Sequence, residues 1–414
     1  MRNSLIILDS KARAALLFAQ DAILFSELGY TFSKRRGPIC RESQLRRPTS
    51  LANDMYSVPW PLSPAEVEML ESPIVAQAPH VDNLDVELER LKEQVGVFRA
   101  IKGDETWKKN VEAVDKTIHL QRVVERPVSR AYFKLIEILR TCAIRDPQSS
   151  LHLCEAPGGF AQAVASEFPK TTRIMVTSRR TEGAPLFSSR ILSHERISEL
   201  DLEHNDLMRR DTRDEIVNLV KQVDLVTADG AIDNETRPEL AEDYTAWLLA
   251  CEIETALRVQ KTGGSFVVKV FGFMRAATRQ LVALLTTCYE QVCIIKPVSS
   301  RSVNDERYVI CQRFKGCKGV LFDTGDRPGG VLIKIANVND AWLQEAHQIA
   351  CRMSHAQKHA ITQALNFKST SSGGKWSSRP PRGRGRQSQS GYREQSRRPP
   401  ASLPVPKSPS SRTF

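Results

Sequence analysis

The sequence predicts an α/β protein built on a mostly parallel, seven-stranded sheet. After residue 107, short apolar segments alternate with segments of helical periodicity, the order that gives a parallel sheet covered by helices on both faces. The first apolar segment ends in two glycines that open a helix, as in folds that bind a ligand at their strand ends. The predicted strands span residues 151–156, 173–177, 197–202, 224–228, 265–270, 292–296 and 307–314.

Helices are predicted between most of these strands, at residues 159–168, 212–220, 239–260 and 274–289. A loop without a helix separates the last two strands. Because a parallel pair needs a long crossover and an antiparallel pair does not, we expect these two strands to form an antiparallel edge.

The segments that flank the sheet are predicted to be mainly helical. Residues 1–32 have the pattern of one or two amphipathic helices, and the proline-rich residues 48–64 indicate a linker. Ser63-Pro-Ala-Glu66 resembles a helix start, with a capping residue, an early proline and a glutamate three positions on. Helical spacing of apolar residues recurs in 82–102, and 340–365 is also predicted to be helical. The predicted segments are 1–62, 63–103, the α/β domain 104–318, a C-terminal helical region 319–368 and a tail 369–414.

The tail carries most of the net charge of the chain. Residues 369–414 contain ten Lys or Arg and one acid, which gives +9 of the total +11. So few apolar residues cannot offset the entropy of ordering, and we expect the tail to be disordered. Its Arg/Gly clusters, with Trp376 and Tyr392, suit attraction to phosphates and stacking on unpaired bases.

Other classes of protein are disfavoured. No apolar run is long enough to cross a membrane or to serve as a secretory signal, so an intracellular protein, cytoplasmic or nuclear, is expected. The nine cysteines form no C-x-x-C motif and are predicted to be buried free thiols. His355 and His359 have a metal-like spacing but no third ligand, so a surface helix pair and no metal site is predicted.

The glycine turn after the first strand indicates a ligand site. In Leu151-His-Leu-Cys-Glu-Ala-Pro-Gly-Gly-Phe160, glycines at 158 and 159 would leave room for a nucleoside-containing cofactor at the strand end. The alternative is a tight turn that only serves packing. A dinucleotide site is disfavoured because G-x-G-x-x-G is absent and no acid follows the second strand.

These residues also carry a family resemblance. Cys154-Glu-Ala-Pro-Gly-Gly-Phe160 resembles the cofactor motif of the FtsJ-like RNA ribose 2′-O-methyltransferases, in the version found in mRNA cap-modifying members. Further segments resemble that family's motifs in the expected order: Ser129-Arg-Ala-Tyr-Phe-Lys-Leu-Ile-Glu137, Val226-Thr-Ala-Asp-Gly230, Gly264-Ser-Phe-Val-Val-Lys-Val270 and Lys296-Pro-Val-Ser-Ser-Arg-Ser-Val-Asn-Asp-Glu-Arg-Tyr308. The resemblance covers about half of the chain and implies a Rossmann-like fold that uses S-adenosylmethionine.

The resemblance also implies the site residues. The catalytic tetrad would be Lys134, Asp229, Lys269 and Glu306. The cofactor would contact Glu155, Ala156, Pro157, Gly158, Gly159, Phe160, Thr177, Asp206 and Asp229. His152 departs from the family pattern, because many relatives have an aspartate there, and Glu155 is expected to compensate for it.

The chemistry of ribose methylation gives each of these residues a role. A ribose hydroxyl is a weak nucleophile, so the enzyme must align it and remove one proton. Lys269 is the predicted base, Lys134 supplies a like charge and orients the hydroxyl, and Asp229 and Glu306 hold the two amines. Arg301, with Ser300 and Asn304, lies in the loop before Glu306 and is expected to contact RNA phosphates.

The predicted function is methylation of a ribose 2′-hydroxyl of RNA, near the mRNA 5′ cap. Ribosomal or transfer RNA is the alternative substrate, and an inactive RNA-binding scaffold is the non-enzymatic alternative. The additional helices before and after the α/β domain suggest a wider surface for RNA or a protein partner.

Overall fold

The structure is a computed structural model, which describes residues 59–74, 86–115, 126–181, 183–232, 241–317 and 333–367. These residues all fall within one compact unit that ends at Phe367. The predictions for residues 1–32, for most of the linker and for the basic tail lie outside the described residues.

An eight-stranded sheet forms the centre of the described unit. Its strand order is β1-β8-β9-β7-β6-β3-β4-β5, and β2 and β10 form a separate antiparallel pair. The strands are β1 Trp60–Leu62, β2 Val67–Ile74, β3 Ser149–Leu153, β4 Arg173–Thr177, β5 Ile197–Glu199, β6 Val223–Ala228, β7 Gln260–Phe271, β8 Tyr289–Ile295, β9 Glu306–Phe314 and β10 Ile333–Val338.

All seven predicted strands are present, and the mostly parallel sheet is confirmed. Strands β3 to β7 pair in parallel, with β3 between β4 and β6. Strand β9 inserts antiparallel between β7 and β8, so the expected antiparallel pair of the last two strands is also confirmed. Because β3, β6 and β7 run in one direction, the segments that follow them lie at the same edge of the sheet.

Helices cover the sheet and continue into the flanking segments. They are α1 Val86–Lys102, α2 Asp104–Asp115, α3 Ala131–Thr141, α4 Gly159–Glu167, α5 Ser189–Leu192, α6 Arg210–Val220, α7 Ala241–Val259, α8 Ala276–Cys288 and α9 Asp340–Leu365. The helix predicted at 340–365 has those bounds, whereas α2 and the short α5 were not predicted. No helix among the described residues is long and apolar enough to cross a membrane.

The helix start predicted at Ser63 is wrong. Residues 63–66 form no regular element, and β2 follows them and pairs with β10. Glu66, the expected partner in a capping box, instead exchanges backbone contacts with Asn339: its N–H donates to Asn339 Oδ1 at 3.1 Å, and its carbonyl accepts from Asn339 N at 3.1 Å. Strand pairing with a distant segment thus overrides the local capping signal. Strand β1, also unpredicted, adds the eighth strand by pairing with β8.

Two of the cysteines expected to be free form a disulfide. Cys288, the last residue of α8, is bonded to Cys317, which follows β9. The backbone brings them together, because Lys315 N donates to the Cys288 carbonyl at 2.9 Å. The other cysteines among the described residues are free thiols, and Cys351 is exposed.

Burial of leucines in the helices that cover the sheet provides a test of this packing. Leu284 of α8 is 0% exposed, whereas Leu186, in the loop before α5, is 72% exposed. We expect Leu284→Ala to lower the free energy of unfolding by about 2–5 kcal/mol, because it leaves a cavity in the core. The control Leu186→Ala should change it by about 0.5 kcal/mol or less. Chemical denaturation measures both, and equal effects would contradict the packing.

Candidate active site

Four charged residues from four elements meet beside the sheet edge. Asp229 follows β6, Lys269 lies on β7, Lys134 on α3, and Glu306 begins β9. Lys134 Nζ lies 2.8 Å from Glu306 Oε2, and Lys269 Nζ lies 3.2 Å from Asp229 Oδ1. Lys269 Nζ also donates to the Asp229 carbonyl at 2.7 Å. The structure therefore brings together the four residues of the predicted tetrad as two ion pairs.

Tyr308 connects the two ion pairs and was not singled out from the sequence. Its hydroxyl donates to Asp229 Oδ1 at 2.8 Å, and Lys134 Nζ lies 6.0 Å from the centre of its ring. Tyr308 is two residues after Glu306 on the same strand, so both side chains point to the same face. The alternation of side chains along a strand is the sequence signal that could have identified Tyr308.

The carboxylates control the charge of the site. Burial alone would raise the pKa of Glu306, but Lys134, Lys269 and Lys296 outweigh it and lower the pKa to about 2. Burial alone would lower the pKa of Lys269, but Asp229, Glu306 and Glu252 outweigh it and raise that pKa above its ordinary value. In the described arrangement Lys269 is therefore an ammonium group at neutral pH.

A third lysine, Lys296, contacts the backbone of Glu306, and it was also not singled out from the sequence. It is 3% exposed, and its Nζ donates to the Glu306 carbonyl at 2.9 Å and to Asn304 Oδ1 at 2.8 Å. Burial, with Arg307 nearby, holds the pKa of Lys296 well below its usual range. Ser300 Oγ donates to Glu306 Oε1 at 2.7 Å.

The three residues predicted to contact RNA differ in their positions. Ser300 is buried against Glu306, and Asn304 is engaged by Lys296, so both hold the loop together. Arg301 is exposed. Arg130, at the start of α3, donates to the Ser299 carbonyl at 3.1 Å and lies close enough to Arg301 for their charges to interact. Arg301 is thus the member of the predicted set that faces solvent.

The glycine turn is closely packed by protein atoms. Gly158 has φ +109°, and a Cβ there would lie 2.6 Å from Ile191 Cγ1. A Cβ at Gly159 would lie 2.9 Å from Ala131 Cβ and from Tyr132 N. The space that both glycines leave on the side-chain side is therefore filled by α3 and α5. Close packing by these two helices therefore accounts for glycine at both positions.

The remaining residues of the turn have structural contacts. Glu155 is buried, and its Oε1 accepts hydrogen bonds from the amides of Phe160 at 2.5 Å and Ala161 at 3.0 Å, which satisfies donors of the first turn of α4. Burial raises the pKa of Glu155 well above its usual range. The Phe160 ring is buried against Tyr308, whereas Ala156 and Pro157 are partly exposed.

His152, which departs from the family pattern, is an internal residue of the sheet. Its ring lies 2.9 Å from Ser150 Oγ and 2.7 Å from Thr227 Oγ1, and it is fully buried. Burial lowers its pKa to about 3, so the ring is neutral at physiological pH. His152 therefore joins β3 to β6.

A hydrogen-bond acceptor that a ligand would satisfy lies at the end of the sheet near β5. Asp206 lies in the loop between β5 and α6, and its Oδ1 accepts from Met208 N at 3.0 Å. Within the described part of the chain, Asn205 Oδ1 is buried and has no hydrogen-bond partner. An unpaired buried acceptor is costly, and an N–H donor such as an adenine amino group would satisfy it. Thr177, at the end of β4, is buried, and its carbonyl accepts from Glu155 N at 3.2 Å.

A buried carboxyl lies behind Asp229. Glu252 of α7 is 1% exposed, and its Oε1 accepts from Gly230 N at 3.0 Å. Its side chain also forms a hydrogen bond with Cys154. Burial raises the pKa of Glu252 to about 8, although Lys269 and the Gly230 amide act in the opposite direction. Glu252 is therefore mostly uncharged at neutral pH.

The sheet has the mostly parallel α/β architecture expected of a Rossmann-like fold, and the charged cluster lies at the ends of β6 and β7. Residues 127–314 match the model of the FtsJ-like methyltransferase family. The resemblance recognised from the sequence motifs is thereby confirmed.

Curated relatives carry the names of cap methyltransferases. The cap-specific mRNA (nucleoside-2′-O-)-methyltransferase 2 of Drosophila melanogaster is 29% identical over 55% of this chain and 37% of its own length. The corresponding protein of Danio rerio is 30% identical over 47% of this chain and 30% of its own. The cap-specific mRNA (nucleoside-2′-O-)-methyltransferase 1 of Mus musculus is 42% identical over 28% and 13%. The chain thus spans little more than a third of these relatives at most.

The raised pKa of Glu252 makes stability depend on pH. The group is protonated in the folded state up to about pH 8 and ionised above its ordinary pKa of 4.5 when unfolded. Its contribution to stability is therefore present at low pH and is lost as the pH rises between these values. We expect Glu252→Gln to reduce that loss by up to about 1.4 kcal/mol per pH unit, in denaturation curves between pH 5 and 8.

The control for this experiment is Glu105→Gln, since the Glu105 side chain is 79% exposed. It should keep the pH slope of the wild type. A Glu252→Gln variant with the wild-type slope would contradict the buried, uncharged carboxyl.

Proposed function

We propose that this chain transfers a methyl group from S-adenosylmethionine to a ribose 2′-hydroxyl of RNA, near the mRNA 5′ cap. The observation that carries the proposal is the convergence of Lys134, Asp229, Lys269 and Glu306 into two ion pairs beside the strand ends. The match of residues 127–314 to the FtsJ-like family model and the names of the curated relatives support the same reaction and the same class of substrate.

The residues that would hold the methyl donor lie at or after the ends of β3, β4 and β5. The turn 155–160 and Thr177 would bind its methionine and ribose, and Asn205 and Asp206 would bind its adenine. When bound, S-adenosylmethionine supplies a methyl group on a sulfonium, which needs no further activation and whose positive charge disfavours the ammonium form of a nearby lysine.

Lys269 is the group that would accept the hydroxyl proton. Its Nζ is held between the Asp229 carboxylate and carbonyl, so a neutral amine there would have a fixed lone-pair direction. Since three carboxyl groups raise its pKa, the neutral form is scarce at neutral pH. The rate of methyl transfer should therefore rise with pH. Lys134, fixed by Glu306, would orient the hydroxyl and keep a second positive charge near the base.

RNA would approach across the loop 297–305 and the start of α3. Arg301 and Arg130 lie there with like charges near each other, an arrangement that a phosphate would relieve. The basic tail, residues 369–414, would add sequence-tolerant attraction to the RNA. In this proposal the loop positions the RNA, and the tail raises the local concentration of RNA.

Substitution of the base tests the reaction. Lys269→Met should lower methyl transfer to capped RNA by about a thousandfold or more, because general-base catalysis contributes on the order of 10²–10⁴. Binding of S-adenosylmethionine, measured by calorimetry, should persist. The matched control is Lys261→Met at the other end of the same strand, where the lysine is 39% exposed and pairs with Asp224, and it should keep wild-type activity.

Substrate choice is read from the same assay. Capped, uncapped and structured RNAs are compared, and the methylated nucleoside is identified in the product. Methyl transfer confined to ribosomal or transfer RNA would show that the alternative substrate is correct and that capped mRNA is not the substrate. Undiminished transfer by Lys269→Met would remove the base assignment, and an inactive wild type that still binds RNA would favour the scaffold alternative.

Arg301 provides a second test. Arg301→Ala should weaken RNA binding at all sequences and reduce the slope of log K against log salt by about 0.7, the value for one phosphate contact to a single strand. Arg140→Ala is the control, because that side chain is 66% exposed and pairs with Glu167 on the outside of α3. Equal slopes for Arg301→Ala and the wild type would exclude a phosphate contact.

A further inference from the structure

A buried ion pair ties the active-site loop to a helix outside the family-matched residues. Lys92 of α1 lies before residue 127, and its Nζ is 2.6 Å from Asp305 Oδ2 and 3.1 Å from Glu89 Oε1. The side chains of Lys92 and Asp305 are each 13% exposed. Burial alone would raise the pKa of Asp305, but Lys92 and Arg307 lower it below its ordinary value, so the pair is ionic.

Asp305 connects the ion pair with Lys92 to the residues of the tetrad. It precedes Glu306 in the chain, and its carbonyl accepts from Gly272 N at 2.9 Å, just beyond the end of β7. Strand β7 carries Lys269, and its last residue, Phe271, is paired with Glu306. A shift of Asp305 would therefore move Glu306 and the end of β7 together.

Other elements outside the family-matched region hold the same loop. Asp115 of α2 accepts from Ser302 N at 3.1 Å, and Gln357 of α9 donates to the Val303 carbonyl at 3.1 Å. Arg307 donates to Gln357 Oε1 at 3.3 Å. Helices α1, α2 and α9 thus each contact the segment between Lys296 and Arg307. Among these contacts, the one between Lys92 and Asp305 is a buried ion pair.

From this geometry we infer that Lys92 is a positioning residue for methyl transfer, which acts through Asp305 to place Glu306 against Lys134. The inference rests on the proposed function and extends it to the flanking helices. These helices complete the active site, so the α/β domain alone would hold its tetrad loosely.

The test compares four variants of the full chain. Lys92→Met keeps the length of the side chain and removes its charge, Asp305→Asn removes the partner charge, and Lys92→Arg restores the ion pair. Lys358→Met is the matched control, because it removes another ion pair between α1 and α9, in which the Glu87 side chain is 73% exposed. Thermal unfolding first establishes that each variant is folded.

Two readouts separate positioning from mere stability. Lys92→Met should lower kcat for methyl transfer by about tenfold or more while KM for RNA and for the donor changes by about twofold or less, since displaced catalytic groups affect the reaction rather than binding. Asp305→Asn should behave like Lys92→Met, and Lys92→Arg should restore most of kcat. Backbone hydrogen exchange of residues 299–306 should be faster in Lys92→Met than in the wild type and in Lys358→Met.

The exchange measurement keeps this inference distinct from the proposed function. If the wild type transfers no methyl group to any RNA, the proposed function fails, and exchange of residues 299–306 alone decides whether Lys92 holds the loop. Unchanged exchange in folded Lys92→Met overturns the inference. So does a kcat that falls equally in Lys92→Met and Lys358→Met, because the loss would then reflect general destabilisation.

Discussion

Neutralisation of buried lysine charges is the constraint on which the active site depends. Lys134 lies near the Tyr308 ring, Lys269 pairs with Asp229, which accepts from the Tyr308 hydroxyl, and an unpaired ammonium in such a place is costly. Each lysine is matched by one carboxylate, so the four charges cancel in pairs. The same pairing fixes the direction of each amine, and the arrangement that makes the site stable is therefore the one that makes it useful for positioning a hydroxyl group.

Two buried ionisable residues next to the tetrad are also held by hydrogen bonds. Lys296 is held among carbonyl and hydroxyl oxygens and supports the backbone of Glu306, while Glu252 is largely uncharged and supports the backbone after Asp229. Burial lowers the pKa of Lys296 and raises the pKa of Glu252, so it disfavours the charged form of both groups. Both form hydrogen bonds with backbone groups in the interior. Lys296 and Glu252 also act on the charges of the tetrad, since Lys296 helps to lower the pKa of Glu306 and Glu252 helps to raise the pKa of Lys269.

Most of the fold and the four charged residues could be predicted from the sequence, because short-range patterns determine them. Strand–helix alternation fixes the sheet, and ordered motifs identify Lys134, Asp229, Lys269 and Glu306. What failed or was missed depends on contacts between distant segments. The capping pattern at Ser63 is a local signal that loses to pairing of β2 with β10. The pairing of Lys92 with Asp305 leaves no trace in spacing or composition, because lysines at helical positions usually face solvent.

The short strand β1 has a consequence for how this domain can be isolated. It pairs with β8 along the outer edge of the sheet, from Trp60 opposite Ile294 to Leu62 opposite Val292. A fragment trimmed to the residues that define the family would leave the backbone groups of β8 without this cover. An uncovered edge is a template for another chain, so such a fragment would tend to self-associate through its open border. We therefore expect these three residues, which cover part of β8, to lower the tendency of the domain to aggregate.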